Sequence, residues 1–423
     1  MNPRSRGWLA LAVIAAILAG AALQLASRSG LLNPPGPEAG AAPGPRRALE
    51  EAAAHERSAV ELLRLAEEGS QEELYLRAGF AAQRALALDP ERLAASEVEL
   101  RVLQSQHRFA DLLTASTKLS AKFPHHAAFI GLAGDAQLEL GHYAEAGQSY
   151  QRMVELKPGS ASYERVGYFR LLHGDLDGAI VAYQLTIAAT APSHRYATAS
   201  AMTYLAQAKL GKGDLTAAAA WLERALTVLP SYAPAHETLG HLSRLQGKTG
   251  EALRAYRAAM ACSRLPRYRL SYADALQDGG DTAAAAEHYA LAERESGSDQ
   301  RLLAELLLRQ NKELPRAEAL ARAEHALRQD VFTEDVLTAA LLANGKASEA
   351  AASSERARRL GTRDSRISLH AGLLAASQGD HRSARGLLES ALRLYPPLTR
   401  TERAQAEAAL GSSGAGKVSS AHR

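Results

Sequence analysis

GDAQLELGHYAEAGQSYQRMVELKP, residues 134–158, reads as two helices joined at a glycine. An Ala/Leu-rich run leads into Gly141; Ala146 follows five residues later, Tyr150 nine later and Pro158 seventeen later. The pattern recurs along the chain. Glycines at 141, 174, 213, 247, 280, 345 and 379 are spaced by 33, 39, 34, 33, 65 and 34. Pro90, Pro124, Pro158 and Pro192 step by 34. A fixed period of this size is the signature of a stacked array. The step of 65 hides one degenerate repeat, and the step of 39 places an insertion near residues 191–195.

Each position has a physical role. The run before a ladder glycine is helix A, and the glycine ends it in a left-handed conformation. Asp175, Asp214, Asp281 and Asp380 follow their glycines, where an acid suits the free N–H groups opening helix B. The residues five after each glycine are all alanine: Ala146, Ala179, Ala218, Ala252, Ala285, Ala350 and Ala384. Gly134, Gly167 and Gly240 stand seven before. Small residues there let the two helices cross closely. Tyr150, Tyr183, Tyr256 and Tyr289 are expected to fill the grooves against neighbouring helices, and proline ends helix B.

These residues resemble the tetratricopeptide repeat family, most fully at 134–158 and 240–260. The large aromatic that the family carries early in helix A is mostly missing, with Ile130, Met202 and His236 in its place. Residues 163–187, YERVGYFRLLHGDLDGAIVAYQLTI, look like exported bacterial members. The resemblance implies an all-α, open superhelical solenoid of about ten helix-turn-helix repeats. It covers 47–396 and is clearest over 125–298 and 331–396; the solenoid is expected to span 47–410, with 399–410 as a capping helix. Copies ending near Pro90, Pro124 and Asp330 lack most signature residues.

The N-terminus has a different character. Arg4 and Arg6 precede an almost wholly apolar run, 8–26, roughly 28–30 Å long as a helix and sufficient to cross a bilayer. Residues 1–27 are expected to be a signal peptide or an uncleaved transmembrane anchor, either of which exports the rest. Residues 28–46, rich in Pro and Gly, are expected to form a linker, and 411–423 a disordered tail. Net charge is +3 with both signs interspersed, so no nucleic-acid footprint is expected. Cys262 is the only cysteine, which excludes an internal disulfide.

No catalytic, metal or cofactor residues are assigned. The segment 411–417 has the spacing of a phosphate-binding loop, but Val418 stands where Ser or Thr is required. His236, Glu237 and His241 resemble a zinc motif, but the histidines are five apart rather than four. Asp278 to Asp281 lacks the remaining ligands of a calcium loop.

The family's concave face implies a surface of exposed helix-A residues. One position after each small residue come Asp135, Tyr168, Gln207, His241 and Asp274; one turn on come Arg244 and Gln277. These form the candidate groove for a protein or peptide partner. The expected function is a noncatalytic interaction scaffold, exported or held at a membrane through 8–26. An accessory role in envelope polymer biogenesis or secretion is the alternative, and an enzyme with an unrecognised site is a third.

Overall fold

The computed structural model describes residues 44–69, 72–297 and 299–415. The expectations for the apolar run 8–26, for the linker up to residue 43 and for the tail beyond 415 lie outside these residues. The chain divides into two units, 1–52 and 53–423. The described part of the first is the opening of helix α1 (Pro45–Gly69), where Arg46 pairs with Glu50 at 3.2 Å on the surface. Pro45, expected in the linker, is instead the first residue of this helix, a position where its missing N–H has no partner to lose.

Every described element is an α-helix. After α1 come α2 (Glu72–Leu88), α3 (Leu93–Ser105) and α4 (Phe109–Lys122). The regular hairpins begin with α5 (Ala127–Glu139) and α6 (Tyr143–Leu156), then α7 (Ser160–Leu172) and α8 (Leu176–Ala189), and α9 (Arg195–Gly211) and α10 (Leu215–Val228). They continue through α11 (Ala233–Leu245) and α12 (Thr249–Cys262), α13 (Pro266–Asp278) and α14 (Thr282–Glu295), and α15 (Gln300–Arg309) and α16 (Leu314–Leu327). The last are α17 (Val331–Ala343) and α18 (Ala347–Arg358), and α19 (Ser365–Ser377) and α20 (His381–Ala391), capped by α21 (Arg400–Ala415). The cap runs five residues past 410 into the expected tail, carried by the helix-forming run before Gly411.

All seven ladder glycines have positive φ, from 69° to 90°, a conformation that costs a residue with Cβ roughly 1–2 kcal/mol. Amides of Gly178, Ala217, Ala284 and Ser383 donate to the carboxylates of Asp175, Asp214, Asp281 and Asp380 at 2.8–3.1 Å. The degenerate repeats make the same turn without glycine. His107 and Asn311, each 34 residues before a ladder glycine, have φ of 55° and 51°. The insertion is taken up partly by lengthening α9 to 17 residues, where α5, α7, α11 and α13 have 13.

The alanines five residues after the glycines are fully buried. A Cβ on Gly134 would lie 2.6 Å from the Tyr150 ring, and one on Gly240 would collide with Tyr256. The ladder tyrosine therefore seats first on helix A of its own hairpin, not only on neighbours as expected. Tyr183 does both, since it covers Gly167 and stacks on Tyr204 of the next hairpin at 5.4 Å and 6°.

The solenoid, expected to be open, closes on itself within the second unit. The Gln329 amide donates to the Glu139 carbonyl at 2.8 Å, and the Val331 amide to the Tyr143 hydroxyl at 2.9 Å across 188 residues. Thr362 Oγ1 donates to the Leu172 carbonyl at 2.5 Å across 190 residues. Leu138, Tyr143, Leu172, Val331 and Ile367 belong to one buried cluster. Repeats far apart in sequence thus meet, because their facing surfaces are apolar and bury favourably.

Candidate binding face and cavity

The helix-A register places Asp135, Tyr168, Gln207, His241 and Asp274 at equivalent positions of successive inner helices. Most of these side chains are engaged between repeats rather than free. Arg165 grips Asp135 with two bonds of 2.8 Å, and Tyr150 donates to the same carboxylate at 3.1 Å. Gln207 Nε2 donates to Thr238 Oγ1 at 3.1 Å. Asp274, expected to be exposed, is 2% exposed. Arg309 pairs with its Oδ2, and Tyr289 donates to its Oδ1 at 2.8 Å. A carboxylate this deep needs such partners to stay charged; burial pushes its pKa up and Arg309 pulls it down.

Tyr168 meets Tyr204 edge-on at 5.9 Å and lines a small cavity of about 50 Å³ with Glu139, Arg301, Asp330 and Phe332. Tyr168 thus lies where distant repeats close together. Its hydroxyl is held well above the usual range by burial.

His241 and Arg244 are covered by the chain's own segment between α20 and α21. Tyr395 Oη lies 3.0 Å from His241 Nδ1. Arg244 donates to the Leu398 carbonyl at 3.0 Å and to Asp278 at 2.6 Å, and the Arg400 amide donates to Asp278 at 2.7 Å. Burial, with Arg244 adding, holds His241 well below its ordinary pKa, so it is neutral at pH 7. The zinc-like trio is dispersed: His236 bonds the Pro230 carbonyl, Glu237 bonds Arg267 and Ser271, and His241 faces Tyr395. Among the described residues no group of three or more His, Cys, Asp or Glu is placed to hold a metal ion.

The inner face opens at one larger hollow, a cavity of about 420 Å³, within the size range of ligand sites. Asp274 and Gln277 line it, as do residues outside the expected set. Phe332, Asp335, Val336 and Ala339 come from α17, Asp364, Arg366 and His370 from α19 and the residue capping it, and Thr399 and Glu402 from the cap. One signal was present in the sequence. Ala339 lies six residues before Gly345, the register of Asp135 and Asp274, and a methyl group there leaves space that larger residues fill elsewhere. Asp364 caps α19, accepting from the Arg366 and Ile367 amides at 2.8 and 3.2 Å. Burial raises its carboxyl to about 6, with neighbouring Asp335 adding to the rise and Arg366 opposing it. Arg366 pairs with Glu402 at 3.0 Å, and His370 Nδ1 lies 2.9 Å from Asp335 Oδ1.

Among the described residues no helix is long and apolar enough to cross a membrane. Residues 127–160 match the tetratricopeptide repeat family. No curated protein sequence matches the chain. Solved structures with similarity include a thermophilic TPR protein, TTC0263, from Thermus thermophilus, at 19% identity over 44% of this chain and 94% of that one, TM-score 0.38. Yeast Tom70 aligns at 13% identity over 87% and 96%, TM-score 0.35. PilW, described as a type IV pilus biogenesis factor, aligns at 16% over 60% and 94%, TM-score 0.32. The matched segment coincides with α5, α6 and the turn between them, whose left-handed glycine and buried alanine recur in the hairpins that follow. Residues 127–160 are a tetratricopeptide repeat, and the array around them is a tetratricopeptide-repeat solenoid.

Proposed function

We propose that this chain is a noncatalytic scaffold that holds a protein partner on the inner face of its repeats, exported or anchored at a membrane through residues 8–26. The cavity between α13, α15, α17, α19 and α21 carries the reading, since it is where the inner face offers both apolar and charged groups to an incoming chain. The Arg4 and Arg6 flank before the apolar run supports export.

A photocrosslinker at Gln277, on the cavity wall, and one at the exposed Lys122 of α4 separate the inner from the outer surface. In the native membrane fraction, the first should capture a discrete protein that the second does not. Equal capture at both, or none at Gln277, rejects the scaffold reading. A reporter fused after residue 45 should be active only outside the cytoplasm; activity confined to the cytoplasm rejects export.

A further inference from the structure

The cavity has more carboxylates than cations to neutralise them. Five acids line it, against three permanent cations and His370. The cations are already engaged. Arg309 pairs with Asp274 and lies 3.6 Å from Glu305, Arg366 pairs with Glu402, and Lys312, exposed at the mouth, donates to Gln310 at 2.8 Å.

Asp335 and Asp364 each keep one carboxylate oxygen with no hydrogen bond or ion pair, and Glu305 has only its 3.6 Å approach to Arg309. Asp335 is 6% exposed and bonds only through Oδ1, to His370. Its Oδ2 makes no hydrogen bond and is not sealed in the protein, so it is left to the cavity. Asp364 uses Oδ1 for both amides of its cap and makes no ion pair, leaving Oδ2. A largely enclosed carboxylate whose open oxygen has no protein donor is stabilised by a donor arriving with a ligand. Beside the two acids, Leu308, Phe332 and Val336 supply an apolar wall. No third ligand group is placed to make a metal site, so the donor that fits is an organic cation.

We propose that this cavity binds a lysine or arginine side chain of a partner polypeptide, with its cationic head between Asp335 and Asp364 and an adjoining apolar side chain against Phe332 and Val336. This rests on the scaffold reading and names the chemistry of its partner. A peptide fits better than a free polyamine, whose short methylene spans are each flanked by ammonium groups and so bring a second charge to the Phe332 wall. Arginine suits the site best, because its planar donor fork can reach two carboxylates at once.

The test uses the full chain and acetyl-Leu-Arg-Leu-amide, its norleucine counterpart and spermidine, with binding followed by calorimetry. The arginine peptide should bind about tenfold or more tighter than the norleucine peptide, the worth of one charge-assisted bond. Asp335→Asn should remove most of that preference. Ala339→Lys, which sets an ammonium in the hollow from a position on α17 that tolerates a long side chain, should abolish it with helicity retained. If Asp335→Asn does not fold, Ala339→Lys decides. Equal binding of arginine and norleucine peptides, or arginine binding unchanged by Ala339→Lys, overturns the proposal. Spermidine binding as tightly as the peptide overturns the polypeptide assignment. If Gln277 still captures its protein while the arginine preference is absent, only this inference fails. If the crosslink is absent as well, the scaffold reading fails with it.

Discussion

Asp135 and Asp335 are both acids on inner helices, and they end differently. Asp135 meets an arginine from the next hairpin whose fork reaches both oxygens, and a tyrosine hydroxyl adds a third bond. Asp335 meets a histidine, which reaches one oxygen and leaves the other facing a cavity. One repeat plan thus produces a closed joint between hairpins and an open site, depending on the reach of one neighbouring side chain. The long arginine seals, and the short imidazole leaves room.

Removing the seal should have the largest effect. Arg165→Ala leaves Asp135 mostly buried without its counter-ion and should cost about 3 kcal/mol, read as a lowered urea midpoint. His370→Ala should cost about 1 kcal/mol, since Asp335 already has one unpaired oxygen. Equal losses would erase the contrast between joint and site.

The next effect concerns the cavity acid and depends on pH. The Asp364 carboxyl is raised to about 6, above its unfolded value, so the folded chain binds the extra proton. Its contribution to stability is complete below about pH 4 and is lost as pH rises through about 6. Asp364→Asn keeps the cap, because asparagine serves there as well. It should therefore remove about 2 kcal/mol of the wild-type loss between pH 4 and 7. Parallel stability curves for the two proteins would place the proton elsewhere.

The ladder tyrosines give the smallest effects. Tyr289→Phe removes a donor from buried Asp274 and should cost about 1–2 kcal/mol. The Tyr183 hydroxyl is buried without a partner, so Tyr183→Phe should be neutral within about 0.5 kcal/mol or slightly stabilising. A loss at Tyr183 matching that at Tyr289 would contradict the hydrogen-bonding pattern.

The hairpins were legible in the sequence because a left-handed turn and a close helix crossing each restrict residue type. The signature faded where His107 and Asn311 hold the turn, as asparagine and histidine enter that conformation more readily than most residues with Cβ. The site was legible only in part. Asp274 and Gln277 come from register, which fixes the face on which a residue lies. Register does not fix whether the next repeat reaches that residue, so the burial of Asp274 could not be read from spacing, and the small Ala339 was the one sign of the space beside Asp335. Asp335 and Asp364 lie on α17 and just before α19, within the clear repeats of 331–396 but ten and fifteen residues before their ladder glycines, outside the register that marks the groove. The contacts between repeats 190 residues apart depend on pitch, which no single motif encodes.

Those contacts change how the array should come apart. A stack joined only by adjacent units behaves as a one-dimensional chain, in which ends fray first and local openings stay local. The bonds from Glu139, Tyr143 and Leu172 to Gln329, Val331 and Thr362 add an edge that skips the intervening hairpins. With that edge the chain becomes a loop, and no hairpin between 172 and 329 lies near a free end. Amide exchange over this stretch should thus report a single cooperative block, joined by α21 through its bond to Asp278, while α1 and α2 exchange independently of it.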